Sequence, residues 1–267
     1  MAAMDNLPCS TSWRDLTHTS WRDDDYRRMV MASLIEAVYL LELERQERRD
    51  AAEVAQQWWK PFSYRLAHEL VDERDGSVFG AIFEWDHHRR PRSHDVEEAR
   101  PTGAPSAVIA FRGTLLRAPT IRRDVEDELR LLACNSLRGS ARLDGALRAL
   151  RATIDRFGSE NVCLCGHSLG AGFARQIGRM LMASRQQQPQ PQQQQASLEF
   201  YLFNAPYLSL PMGVRRVVRT TDCLLKTLRT GVAAVGRWHG KALKNVAYAN
   251  CVLGYTRLDG DGRRLFD

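Results

Sequence analysis

Val162-Cys163-Leu164-Cys165-Gly166-His167-Ser168-Leu169-Gly170-Ala171-Gly172 is the stretch that decides the fold of this 267-residue chain. Its first four residues are apolar and read as a buried strand, while the run from Ala171 to Met182 reads as a helix, so Ser168 falls on the junction. A serine at a sharp strand-to-helix turn takes a strained backbone conformation, and only small residues two before and two after it leave the neighbouring backbone room. Gly166 and Gly170 occupy those two positions. The turn lifts the hydroxyl off the sheet edge and points the first N–H groups of the helix at the same space, where a developing oxyanion would be stabilised. A chance Gly-x-Ser-x-Gly in a loop lacks the strand, the helix and the second small pair Ala171-Gly172.

The complement to this turn lies upstream. Ala107-Val108-Ile109-Ala110-Phe111 reads as a strand buried on both faces and runs into Arg112-Gly113-Thr114. A tetrahedral intermediate needs two donors. The N–H of the residue after the nucleophile, Leu169, supplies one, and a residue at the end of a neighbouring strand, here Thr114, supplies the other. Between the two strands, Leu143, Leu147, Leu150, Ile154 and Phe157 repeat at helical spacing, so strand, helix and strand form a crossover that implies a parallel pair. The expectation is an α/β chain of the α/β-hydrolase type: a mostly parallel sheet with helices on both faces, plus an N-terminal helical segment.

These two motifs resemble the class 3, or fungal-type, lipase family, in which Phe-Arg-Gly-Ser/Thr precedes Gly-His-Ser-Leu-Gly. Trp58 to Trp85, Gly103 to Leu137, Gly139 to Gly172 and Phe200-Tyr201-Leu202-Phe203-Asn204-Ala205-Pro206 are similar to a plant branch of small lipase-like proteins, as are Leu16-Thr17-His18 and Ala32 to Tyr39. The resemblance extends to about Gly213. It implies a carboxylester hydrolase acting on small esters or lipids, with Ser168 as nucleophile, Thr114 and Leu169 as the oxyanion hole, and an acid and then a histidine following the serine. The histidine after Ser168 is His239, and the acid preceding it, apart from Glu199 in a strand, is Asp222. The family places its acid shortly after Tyr-x-Asn; here Tyr248-Ala249-Asn250 runs into Cys251-Val252-Leu253. Three outcomes follow: Asp222 and His239 replace the usual acid and base, the chain is a non-catalytic module that binds a ligand or partner, or it is a shortened gene product. His167 adjoins the nucleophile, but neighbouring residues at a sharp turn diverge, so it is assigned to packing rather than proton transfer.

The remaining segments fit one domain spanning 1–267. Val30, Leu34, Val38 and Leu41 lie at helical spacing and turn one stripe inward, with Glu42 to Asp50 as a charged end. Val78 to Phe83 reads as a central strand, and 86–105 as a charged surface loop. Asp86, His87, His88, His94 and Asp95 in that loop match no metal-ligand spacing, so no metal site is assigned. Ile121, Val125, Leu129 and Leu132 form an apolar stripe opposite Arg122, Arg123, Glu126 and Arg130. A lid would turn that stripe outward; the expectation is a structural helix that packs it down. The Gln/Pro-rich tract within 185–197 reads as a disordered insertion, because it carries too little apolar surface to offset its ordering entropy.

The apolar share of 44% is ordinary, and the formal charge of +6 is spread widely, which argues against a nucleic-acid partner. One basic cluster, 215–244, interleaves arginines and lysines with Val217, Val218, Leu224, Leu225 and Leu228. It reads as a packed helix with a solvated face or as a peripheral membrane contact. Six cysteines form no disulfide framework; Cys163 and Cys165 share one strand face as small core residues. With no leader-like start and no run of membrane-spanning length, the expected location is the cytoplasm, and no cofactor is called for.

Overall fold

A computed structural model describes residues 20–47, 57–87, 100–134, 136–186, 198–205 and 255–258. Among the described residues, six strands form one sheet in the order of the chain: β1 (Tyr64–Val71), β2 (Val78–Trp85), β3 (Ala107–Phe111), β4 (Val162–His167), β5 (Glu199–Phe203) and β6 (Tyr255–Leu258). The described α-helices are α1 (Asp24–Glu47), α2 (Ile121–Cys134), α3 (Ala141–Phe157) and α4 (Leu169–Gln186). The architecture is α/β, but the sheet is mixed rather than mostly parallel. β3, β4 and β5 run parallel, whereas β1 with β2, β2 with β3 and β5 with β6 are antiparallel. Both parallel pairs have helices in their connections: α2 and α3 between β3 and β4, and α4 between β4 and β5. Where the connection is short, as from β1 to β2, only an antiparallel return is geometrically open.

Helices cover both faces. On one, α1 packs Val30, Leu34 and Val38 against Val108 and Ala110 of β3, Cys163 and Cys165 of β4, and Tyr201 and Phe203 of β5. On the other, α3 and α4 bury Leu143, Leu147, Leu150, Phe173 and Ile177 with Ile109, Phe111, Leu164 and Leu202. The period-two alternation along β3, β4 and β5 divides these residues between the two layers. Cys163 and Cys165 do share a face. Ser140 caps α3 by accepting the Leu143 N–H, and Gly158, at φ 79°, ends it.

Two expectations about helix faces change. The charged end assigned to Glu42 onward begins inside the protein: the Glu42 side chain is buried, accepts the Val78 N–H at 2.8 Å and is paired with Arg45. On α2, the inward positions are Asp124, Asp127 and Leu131, while Ile121, Val125 and Leu129 are only half-buried. The apolar stripe is therefore not the packed face. Two buried arginines turn the helix, because the energy of leaving Arg112 and Arg142 unpaired exceeds that of leaving a few methyl groups half in water.

The expected surface loop 86–105 is described only at 86–87 and 100–105, and there Ala104 is buried. The Gln/Pro-rich tract at 187–197, the basic cluster 215–244 and the Tyr248-Ala249-Asn250 segment lie outside the described residues. No described helix is long and apolar enough to cross a membrane.

Candidate active site

β4 ends at His167 and α4 begins at Leu169, so Ser168 alone makes the turn, with φ at 52°. A non-glycine residue in this left-handed region is strained by contact between Cβ and the carbonyl, and it persists only where the surroundings hold it. Here the Ser168 N–H donates to the Phe203 carbonyl on β5 at 2.9 Å, and the Ser168 carbonyl accepts from Gly172 N–H in the first turn of α4 at 3.1 Å. The flanking glycines make the turn sterically feasible. A Cβ on Gly166 would stand 2.4 Å from the Gly170 backbone, and one on Gly170 would stand 2.4 Å from the Phe111 carbonyl oxygen.

The end of β3 arrives at the same place. Phe111 is paired with Gly166, after which Arg112 and Gly113 leave the ladder. A Cβ on Gly113 would meet Ser168 Cβ at 3.0 Å and the His167 carbonyl oxygen at 2.9 Å. Thr114 follows directly, half-buried, and its hydroxyl donates to Glu128 of α2 at 2.7 Å. The hydroxyl is thus committed to a carboxylate, which leaves the backbone N–H as the group Thr114 can offer to a ligand. Leu169 is buried at the start of α4, where first-turn N–H groups have no partner within the helix. The carboxyl ends of parallel strands, where these residues meet, are the usual place for a ligand crevice in an open α/β sheet.

His167, next to Ser168, has contacts of its own. It is buried, its Nδ1 lies 2.8 Å from the Tyr39 hydroxyl, and its Nε2 faces the Asn204 side chain at 3.5 Å. Burial lowers its pKa to about 4, so it is neutral near pH 7. Tyr39 is a residue of the candidate site that sequence reading missed. Its hydroxyl also accepts the Gly113 N–H at 2.7 Å.

The strand end that carries Gly113 and Thr114 rests on a buried ion network. Arg112 donates to the Val78 and Gly113 carbonyls and forms a bidentate pair with Asp124, which in turn accepts the Leu115 N–H at 2.7 Å. Arg142 of α3 bridges Asp124 at 2.6 Å, Asp72 at 2.8 Å and the Ser77 hydroxyl at 2.8 Å. Burial pushes the Asp72 carboxyl up, but hydrogen bonds from Arg74 and the charge of Arg142 outweigh it and hold the group below the usual carboxylate range. Asp127 goes the other way: burial dominates and raises its pKa. Nothing in the local sequence around Asp124 or Arg142 announces these pairings, which join α2, α3 and the turn between β1 and β2.

Asp222 and His239, the acid and base candidates, lie outside the described residues. Among the described residues no cluster of His, Cys, Asp and Glu has the makings of a metal site. A cleft at the opposite end of the strands, lined by Arg100, Pro105, Asn161 and Glu199, is remote in the topology from Ser168.

No family model matches the chain, and no solved structure matches it. Among curated proteins it is similar to a GDSL esterase/lipase of Arabidopsis thaliana, 33% identical over 199 residues. The match takes in 74% of this chain and 53% of the relative, so the chain spans about half the length of the curated relative it matches. The likeness to a plant lipase-like protein stands. The class 3 lipase family expected from the motifs is not shown by this relative, whose name is that of a GDSL esterase/lipase. The tetrapeptide Gly-Asp-Ser-Leu is itself absent from this chain, which has Gly166-His167-Ser168-Leu169.

Proposed function

We propose that this chain is a serine carboxylester hydrolase of the α/β-hydrolase type, acting on a small ester or a lipid ester through Ser168. The observation that carries the reading is how close Gly113, at the end of β3, comes to a strained Ser168 at the end of β4: a Cβ on the glycine would stand 3.0 Å from the serine Cβ. The Arabidopsis relative's name, an esterase/lipase, supports the same chemistry. In this reading the Ser168 hydroxyl adds to the ester carbonyl and gives its proton to a base. The Thr114 and Leu169 N–H groups hold the oxyanion, and the alcohol leaves with a proton from the base. Water then releases the acid from the acyl-enzyme. His239 is the candidate base and Asp222 the candidate acid, since the His167 Nδ1 is engaged by the Tyr39 hydroxyl.

One observation favours a second reading, a ligand- or partner-binding module with little turnover. The acid expected after Tyr248-Ala249-Asn250 is replaced by Cys251-Val252-Leu253, and a serine hydroxyl without an acid-oriented base is a poor nucleophile. Hydrolysis of a short p-nitrophenyl ester by the native chain, Ser168→Ala and His239→Ala separates the two. Turnover abolished by both substitutions establishes the hydrolase with His239 as base. Turnover no faster than that of Ser168→Ala establishes the binding module. The segment 215–244 is the candidate peripheral membrane contact, testable by co-sedimentation with anionic vesicles.

A further inference from the structure

We infer that Tyr39 is a positioning residue of the Ser168 site, whose single hydroxyl sets the distance between the two strand ends that would form the oxyanion hole; the inference rests on Ser168 being the nucleophile. Tyr39 belongs to α1, on the sheet face opposite α2, α3 and α4, and is buried. Its hydroxyl reaches past the end of the sheet and touches both strand ends at once. It accepts the Gly113 N–H at 2.7 Å from the β3 side and exchanges a hydrogen bond with His167 Nδ1 at 2.8 Å on the β4 side.

The location makes the contact consequential. The β3–β4 ladder has its last register pair at Phe111 and Gly166, and His167 pairs instead with Phe203 of β5. Beyond that pair no sheet rung fixes how far Gly113 and Thr114 stand from Ser168 and Leu169. The tyrosine hydroxyl supplies the missing rung through a side chain. It also dictates the residue opposite it, since a Cβ at position 113 would lie 2.5 Å from the Tyr39 oxygen. Because burial keeps His167 neutral near pH 7, the hydroxyl serves both partners with no charge to compensate. Two donors preorganised on separate strand ends stabilise an oxyanion only while their spacing holds, and displacement of about 1 Å can cost roughly 10²-fold in rate.

The test titrates Ser168 with a fluorophosphonate and compares the native chain with Tyr39→Phe. The amplitude counts correctly folded sites, and the rate constant per titrated site reports the chemistry. The expected result is a rate constant about tenfold to a hundredfold lower per titrated site, with KM for a p-nitrophenyl ester unchanged within about twofold. A lower amplitude with an unchanged rate constant per site would make Tyr39 a folding residue and overturn the inference. A native chain that takes up no probe would overturn the Ser168 reading and the positioning role with it. Should Tyr39→Phe yield no titratable sites, amide exchange in the native chain decides: Gly113 is expected to exchange as slowly as the β3 amides, and exchange at the rate of an exposed turn overturns the proposal.

Discussion

The Ser168 turn and the Arg142 network lie on either side of the same strand end, yet they are held by opposite kinds of force. At the turn the constraint is repulsive and local: glycines at 166, 170 and 113 leave no room for a Cβ, with the contacts that forbid one falling between 2.4 and 3.0 Å. In the network the constraint is attractive and non-local, joining Asp72, Asp124 and Arg142 across 70 and 18 residues of sequence. The turn presents Ser168, and the network holds the strand end that faces it through Arg112 and the Leu115 N–H. Shape is enforced where the chain is tight, and charge is enlisted where a loop must be anchored inside the protein.

The largest effect should come from the network. Arg142→Met leaves Asp124 and Asp72 buried with one cation fewer, and removing one partner of a buried pair costs about 3–5 kcal/mol. Urea denaturation measures it; a loss near zero would mean that the aspartates are satisfied without Arg142 and that the comparison is misdrawn. Gly166→Ala should follow, at about 3 kcal/mol, because the atoms a Cβ meets are backbone and cannot swing away.

Acid separates the regions by pH window. His167 has a folded pKa lowered to about 4 from 6.5, so the unfolded chain binds the extra proton between those values and stability falls as pH drops through that range. Asp72, whose folded pKa is depressed, contributes stability above its unfolded value of about 3.9, lost only as pH falls below it. Asp127, with a raised pKa, opposes this and gains stability as pH falls through its folded value. Melting profiles from pH 7 to 4 should therefore show a loss on the order of 2 kcal/mol that His167→Gln removes. Persistence of the loss in that variant would assign it elsewhere. The smallest effect is expected on the half-buried stripe of α2: Val125→Ser should change stability by less than about 1 kcal/mol, whereas a core valine would cost more.

The same contrast accounts for what the sequence discloses. β3, β4 and the start of α4 are legible because apolar runs and glycine spacing are local signals, and β3 and β4 were expected within a residue or two of where they lie. The direction of the sheet was not legible: the helical crossovers reveal only the parallel pairs, while β1, β2 and β6 turn it into a mixed one. On α2 the periodicity was real but pointed to the wrong face, because a hydrophobic pattern carries no record of Arg112 and Arg142 arriving from elsewhere. Tyr39 adjoins Val38 of the stripe at helical spacing but is not itself one of its positions. No neighbour in sequence marks its hydroxyl, whose partners are 74 and 128 residues away.

The central claim is that Ser168 is a nucleophile held ready by its turn. Incubating the full chain with a fluorophosphonate and mapping the adduct by peptide mass spectrometry tests it most directly. The expected result is one adduct per chain, on the peptide containing Gly166-His167-Ser168-Leu169-Gly170, and none in Ser168→Ala. An unmodified chain, or an adduct on another serine, would contradict it.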